Sequence, residues 1–261
     1  DALSHENKLA IAQKVELSET AFVSSSKTAD YKLDFYTPTK QIAHCGHATI
    51  ATFSYLKQLG LLKGKTSSKE TIDGNRKIEI QGDLAFMEQL APTYVDPVER
   101  ENDILNSLGL TKEDLLPNAP IQVVNTGNSF LLIPVKDVKT LEDITPYFDA
   151  IENISEEFNL IGYYVFTIDA VAEIDATTRM FAPRYGILEE AATGMAAGPL
   201  ASYLFDVLQQ KQTNFKIQQG KYMSPSSSSA LEVQLHVENE HITGVMAGGK
   251  GMVASEFEVK I

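Results

Sequence analysis

Apolar and polar positions follow two periods along the chain, one helical and one extended. The two periods succeed each other in the same order twice. Leu3, Leu9, Ile11, Ala12 and Val15 recur at loosely helical spacing and predict a helix over 3–15. Strands are predicted over 20–24 and 31–37; in the second, Tyr31, Leu33, Phe35 and Thr37 alternate with Lys32, Asp34 and Tyr36. Pro38 ends that strand, and 39–45 reads as a loop. From Gly46 to Leu59, apolar residues cover much of a helical circumference, which predicts a buried helix stopped by Gly60. Short strands follow near 76–81 and 84–90. A second cycle opens with a helical segment near 101–110, strands over 120–124 and 129–135, and helical signals over 137–156. It continues with strands over 163–168 and 178–182, a stop at Pro183 and a helix over 194–209. Strands are expected over 216–219, 231–236, 244–246 and 252–260. Gly248-Gly249-Lys250-Gly251 reads as a turn between the last two, and the serine run 224–229 as a mobile turn.

The two cycles match residue by residue. Phe35-Tyr36-Thr37-Pro38 corresponds to Met180-Phe181-Ala182-Pro183. Aligning Gly46 with Gly194 pairs Ala48 with Ala196, Ser54 with Ser202, Tyr55 with Tyr203 and Leu56 with Leu204, without a gap. Upstream, Glu16-Leu17-Ser18-Glu19 aligns with Asn159-Leu160-Ile161-Gly162. Two similar α/β domains related by a pseudo-two-fold are expected, over 1–105 and 106–261. The strand at 129–135 has no counterpart in the first cycle, so a first strand is expected to be missing from this sequence, leaving an open sheet edge.

Composition narrows the function classes. The 261 residues carry a net charge of −13 and no basic cluster, which disfavours nucleic acid and anionic membrane partners. No apolar run approaches the roughly 18 residues of a spanning helix, and no signal peptide opens the chain. A single cysteine, Cys45, allows no intrachain disulfide and fits the cytoplasm. No Walker motif or G-x-G-x-x-G supports a nucleotide site.

The chemistry concentrates at the two glycine-led helices. Their N-termini present N–H groups and a positive dipole end, and two of them facing across a cleft would cradle a small anionic substrate. Cys45 and Gly46 open one; Thr193, Gly194 and Met195 open the other. Glu19 is present in one half only, since its counterpart is Gly162. A carboxyl desolvated in a cleft has a raised pKa and can carry a proton, although Ser-Glu-Thr also suits a solvated or capping glutamate. His47 fits a neutral hydrogen-bond donor to substrate or a capping residue. Cys45 fits a small buried side chain or, at a helix N-terminus, an activated thiol. Glu189 and Glu190 precede a helix and fit dipole partners or site acids. His44-Cys45-Gly46-His47 contains zinc-ligand types, but four such close residues do not easily supply three ligands, so no metal is expected. His236 and His241 stand without a partner motif.

At these residues the sequence resembles the PhzF-like family, related in fold to diaminopimelate epimerase. The matching segments are Leu17–Val23, Phe35–Pro38, Cys45-Gly46-His47-Ala48-Thr49, Arg179–Pro183 and Ala192-Thr193-Gly194 with Ala197–Leu200. The resemblance implies an α/β (α+β) fold of two pseudo-symmetric domains, each a curved mixed sheet wrapped around a central helix. It implies a cofactor-independent isomerase that moves a proton on a small carboxylate-bearing metabolite, and a homodimer. Glu19 matches the family's catalytic glutamate, His47 its histidine, and Glu190 an aspartate of the phenazine enzyme. Met195 stands where that enzyme has a serine, and Tyr222-Met223-Ser224-Pro225-Ser226 departs from Met-Gly-Arg-Pro-Ser. A thioether is a poor substitute for a hydroxyl donor, so the pocket is expected to be more apolar there. The rival expectation is a non-catalytic small-molecule binding protein on the same scaffold.

Overall fold

The computed structural model describes residues 3–43, 45–72, 74–168 and 173–260. The chain divides into two compact units, one of residues 1–88 with 248–261 and one of residues 89–247.

The first unit begins with α1 (His5–Val15). Ser4 accepts a hydrogen bond from the Asn7 N–H at its start, and Glu16 closes it in the left-handed conformation, φ 57°. Strands β1 (Thr20–Ser25), β2 (Tyr31–Tyr36) and β3 (Gln41–Ile42) follow, then α2 (Gly46–Gln58), β4 (Thr66–Thr71), β5 (Gly74–Gln81) and β6 (Leu84–Gln89). β1 and β2 are antiparallel, β2 and β4 are parallel, and β4, β5 and β6 form an antiparallel ladder. The sheet order is therefore β1-β2-β4-β5-β6, with β3 beside β2.

The second unit carries β7 (Thr93–Val95), α3 (Glu101–Asn106), β8 (Gln122–Asn125), β9 (Ser129–Pro134), α4 (Val138–Asp143) and α5 (Phe148–Glu157). Then come β10 (Gly162–Thr167), β11 (Ala176–Ala182), β12 (Ile187–Glu190), α6 (Gly194–Asp206), β13 (Asn214–Gln219), β14 (Ser229–Glu238) and β15 (His241–Gly249). β10 and β11 are antiparallel, β11 and β13 are parallel, and β13 and β14 are antiparallel. This repeats the pairing of β1, β2, β4 and β5, with α2 and α6 in the same place in the chain. The alignment of Glu16 with Asn159 holds in the backbone, because Asn159 also ends its helix at positive φ, 50°.

α6 is apolar all round and accordingly lies inside its unit, with every residue but Met195 and Asp206 buried. Leu200, Tyr203, Leu204 and Phe205 pack with Phe166, Ile217 and Val245, each such side chain contributing about 1.5–3 kcal/mol by leaving water. The opposite sheet face is covered by α3, α4 and α5 through Ile104, Leu141 and Ile151. α2 differs from the buried helix its pattern predicts. Phe53 and Leu56 are buried, but Ala51, Tyr55 and Leu59 form an exposed stripe. β8 and β9 extend the second unit's sheet beyond β10, whereas β1 ends the first unit's strand order among the described residues.

Further elements depart from expectation. β4 lies where none was predicted, because its inward positions are Ser67, Lys69 and Thr71 rather than apolar residues. β12 occupies the Glu189-Glu190 segment. The alternation over 252–260 forms no strand. That segment is held to the first unit by side chains instead: Gln58 Nε2 donates to the Gly251 carbonyl at 2.9 Å and Lys14 Nζ to the Lys260 carbonyl at 2.6 Å. Gly248 and Gly249 belong to β15 itself, so they are no turn between strands.

Candidate functional site

In the first unit, the turn after α1 and the start of β1 bring Glu19 to the N-terminus of α2. Cys45 caps that helix in an extended conformation, without a side-chain bond to the first turn. Glu19 Oε2 lies 3.3 Å from His47 Nε2. Cys45 Sγ lies 3.8 Å from both ring nitrogens of His47. One ligand-type atom from each of the three residues falls within 4.8 Å of the others. The Glu19 side chain retains 7% of its accessible surface and that of His47 33%, so the cluster opens on the histidine side. Glu19 Oε2 is buried against His47.

The pKa of Glu19 runs opposite to the raised value expected from sequence. Burial pushes it up, but hydrogen bonding from His47 and Ser18 and the charge of His47 outweigh burial and hold it below the usual carboxylate range. The carboxylate is therefore kept ionised, as suits a base.

Beneath α2 lies a residue that the pattern did not single out. Lys69 is fully buried, and its Nζ donates to Thr49 Oγ1 at 2.7 Å. Thr49 Oγ1 in turn donates to the Cys45 carbonyl at 2.6 Å. An inward lysine on a strand of serines and threonines was the available signal.

In the second unit the adjacent acids are separated by strand alternation. Glu189 makes a two-pronged ion pair with Arg179, Nε–Oε1 2.8 Å and Nη2–Oε2 2.9 Å. Arg179 Nη1 also donates to the carbonyls of Leu141, Glu142 and Ile144. Glu190 instead faces the start of α6, where Thr193 Oγ1 donates to its carboxylate at 3.2 Å. Gln219, fully buried, ties this corner together. It donates to the Glu190 carbonyl (2.7 Å) and to Thr193 Oγ1 (2.9 Å), and accepts from the Thr193 N–H (3.0 Å) and the Tyr164 hydroxyl (2.9 Å).

The first turn of α6 is set by Gln89, whose Nε2 donates to the Gly194 carbonyl at 2.9 Å and whose Oε1 accepts from Thr126. Gly198 permits that approach, since a Cβ there would lie 2.0 Å from Gln89 Oε1. A Cβ on Gly194 would meet nothing within 4 Å, so open space lies above this residue. Met195 is half-buried, and Asn128 Nδ2 lies 3.6 Å from its sulfur. Gln219, Gln89 and Asn128 were missed because an amide in a strand or loop, buried in the first two and half-buried in the third, leaves no periodic signature. His44 lies outside the described residues.

The counterpart of Glu19 is closed by packing. A Cβ on Gly162 would lie 2.3 Å from the Phe181 carbonyl oxygen, so no side chain fits where the other half carries its acid.

Comparison with known proteins gives one consistent result. The family described as phenazine biosynthesis-like protein, PhzC-PhzF, matches residues 1–256. An uncharacterised isomerase of Clostridium acetobutylicum is 33% identical, covering 99% of this chain and 89% of its own. The trans-2,3-dihydro-3-hydroxyanthranilate isomerase of Pseudomonas chlororaphis is 27% identical, over 78% of this chain and 70% of its own. A Bacillus anthracis phenazine biosynthesis protein of the PhzF family superposes with a TM-score of 0.86 at 27% identity, covering 99% of this chain and 90% of that one.

Proposed function

Since the chain belongs to the PhzC-PhzF family and is, by that kinship, an isomerase, we propose that it moves a proton on a small carboxylate-bearing metabolite without a cofactor, with Glu19 as the proton carrier. The observation that carries this reading is the buried, ionised Glu19 carboxylate 3.3 Å from His47 at the N-terminus of α2. In the proposed step a C–H bond next to a carbonyl or ring alkene breaks and its proton passes to Glu19. The electron pair shifts into the conjugated system, and Glu19 returns the proton to another carbon. His47 donates a hydrogen bond to the substrate.

Glu190, beside the first turn of α6, is the second candidate acid. At the start of α2 the N–H groups of Cys45 and Gly46, and at the start of α6 those of Gly194 and Met195, are candidate partners for anionic oxygens, while the Thr193 N–H is held by Gln219. Glu190 and Met195 depart from the phenazine enzyme, which supports a different substrate from that of the Pseudomonas relative. A homodimer acting in the cytoplasm completes the proposal. Among the described residues no helix is long and apolar enough to cross a membrane.

The test is isotope exchange. Candidate carboxylates incubated with the enzyme in deuterated water should acquire label at a carbon next to a carbonyl or alkene, and Glu19→Gln should abolish it. Equal labelling by Glu19→Gln would refute the assignment. A ligand that binds and returns unlabelled would favour a binding protein instead.

A further inference from the structure

We propose that Lys69 is a positioning residue: through Thr49 and Phe35 it holds the first turn of α2 and the start of β1 at the separation that keeps His47 against Glu19. The inference rests on the proposed function for its consequence in turnover, but the geometry it describes can be read without any substrate. Lys69 lies on β4, keeps none of its surface and reaches the underside of α2. An ammonium taken out of water is costly unless polar contacts compensate it. Its contacts therefore bear directly on what it holds in place.

Two of those contacts lead to the two elements that carry the site. On one side, Lys69 Nζ donates to Thr49 Oγ1 at 2.7 Å, and Thr49 Oγ1 donates to the Cys45 carbonyl at 2.6 Å. An ammonium has donors only, so the Thr49 oxygen accepts from it and the Thr49 proton is directed at the carbonyl. The same carbonyl accepts the Thr49 N–H at 3.2 Å. The Cys45–Gly46 peptide is planar, so a carbonyl held from below also fixes the Gly46 N–H and the line along which His47 leaves the chain. Cys45 makes no side-chain bond to this turn; Thr49 and Lys69 secure it from the core side. On the other side, Lys69 Nζ lies 5.2 Å from the centre of the Phe35 ring, within cation–π range. Phe35 is fully buried on β2 and pairs with Ala21 on β1, the strand that opens at Thr20 directly after Glu19.

One buried charge is thus bonded to the helix that carries His47 and packed on the strand that aligns the segment carrying Glu19. The spacing it sets is short, since Glu19 Oε2 lies 3.3 Å from His47 Nε2. A displacement of about 1 Å at a reacting group can cost about a hundredfold in rate. Neither Lys69 nor Thr49 moves a proton in this scheme; both act by placing His47. The groups that face the Glu19 carboxylate are Ser18 on its own segment and His47 and Cys45 on α2. Burial pushes the Glu19 pKa up, and His47 and Ser18 outweigh burial. Loosening the His47 contact must therefore move this carboxyl back up, toward the ordinary glutamate value of about 4.3.

The titration of Glu19 provides the reading, followed by NMR in the full chain labelled with carbon-13 at its glutamate carboxyls, with Glu19→Gln assigning the signal. Thr49→Val keeps the shape and removes the hydroxyl; Lys69→Met keeps the length and removes the charge. Each should move the Glu19 midpoint up toward about 4.3, and Thr49→Ser should restore the wild-type value. Thr49→Val and Lys69→Met should also lower kcat for deuterium exchange about tenfold or more while KM stays within about threefold. Combining them should be no worse than either alone, because both cut one chain of contacts. A midpoint raised by Lys69→Met but not by Thr49→Val would assign the effect to charge acting through space and overturn the proposal. An unmoved midpoint in both, or a shift in Thr49→Ser as large as that in Thr49→Val, overturns it too. Should Lys69→Met fail to fold, the valine and serine variants of Thr49 decide the matter. Shifted midpoints in a protein that labels no substrate uphold the positioning and sink the proton-transfer reading. Labelling with unmoved midpoints does the reverse.

Discussion

Two adjacent glutamates, Glu189 and Glu190, should fail in opposite ways when each is replaced by glutamine. Glu189 is one half of a buried ion pair; the side chains of Arg179 and Glu189 retain 8% and 15% of their surface. Glu189→Gln keeps the volume but leaves the guanidinium without its counter-charge. Breaking one partner of such a pair costs about 3–5 kcal/mol. The lower end applies here, because Nη1 keeps its three carbonyl acceptors. With a urea dependence of about 2–3 kcal/mol per molar, a loss of about 3 kcal/mol moves the unfolding midpoint down by roughly 1–1.5 M. Glu190→Gln preserves an acceptor for Thr193 Oγ1 and should cost under about 1 kcal/mol. Turnover per folded molecule should follow the reverse order, nearly intact in Glu189→Gln and reduced at least tenfold in Glu190→Gln. Urea titration followed by far-ultraviolet circular dichroism measures the first quantity, since the chain has no tryptophan, and solvent deuterium exchange measures the second. Replacing the pair together, Arg179→Met with Glu189→Leu, should recover part of the single-variant loss, because apolar side chains of similar size leave no charge stranded. Equal midpoints for the two glutamine variants, or a turnover loss confined to Glu189→Gln, would refute this division.

Further outcomes follow from neighbouring contacts. Gly198→Ala places a methyl group 2.0 Å from Gln89 Oε1, so Gln89 must retreat from the Gly194 carbonyl; a cost of about 1–3 kcal/mol should appear in chemical denaturation. Gln219→Leu leaves the Thr193 N–H and the Glu190 carbonyl without their amide partner and should cost about 2–4 kcal/mol, measured in the same way. Glu19 titrates below its unfolded value of about 4.3. Its ionised form therefore adds stability above that pH, and this contribution fades as pH falls through the folded value. The melting temperature of the wild type should exceed that of Glu19→Gln at pH 7, with the gap narrowing towards pH 3; a gap that widens in acid would contradict the sign.

The repeated order of helix and strand was legible because α6, β9, β10 and β11 bury apolar residues on both faces and the turns carry proline and glycine. The alignment of Glu16 with Asn159 could be drawn because the same left-handed helix end recurs. What escaped notice was polar. β4 points serine, lysine and threonine inward, so its period of two is written in residues that a hydrophobicity count ignores. The tail 252–260 shows the converse: its alternation is real, but side chains of α1 and α2 take its carbonyls and no ladder partner remains. Glu19, Cys45 and His47 could be named from sequence, but the direction of the Glu19 pKa shift depends on a 3.3 Å contact that only the folded backbone defines.

The Phe181 carbonyl that fills the space beside Gly162 works as a latch on the history of this repeat. A single codon change cannot give the second half an acid of its own, because β11 would first have to retreat. That strand also carries Arg179, whose ion pair fastens β12, and pairs with β13, which ends at Gln219. The two halves can trade surface residues freely, but their division of labour is locked in the backbone. Any route to two equivalent halves must begin by unpacking β11 from Gly162.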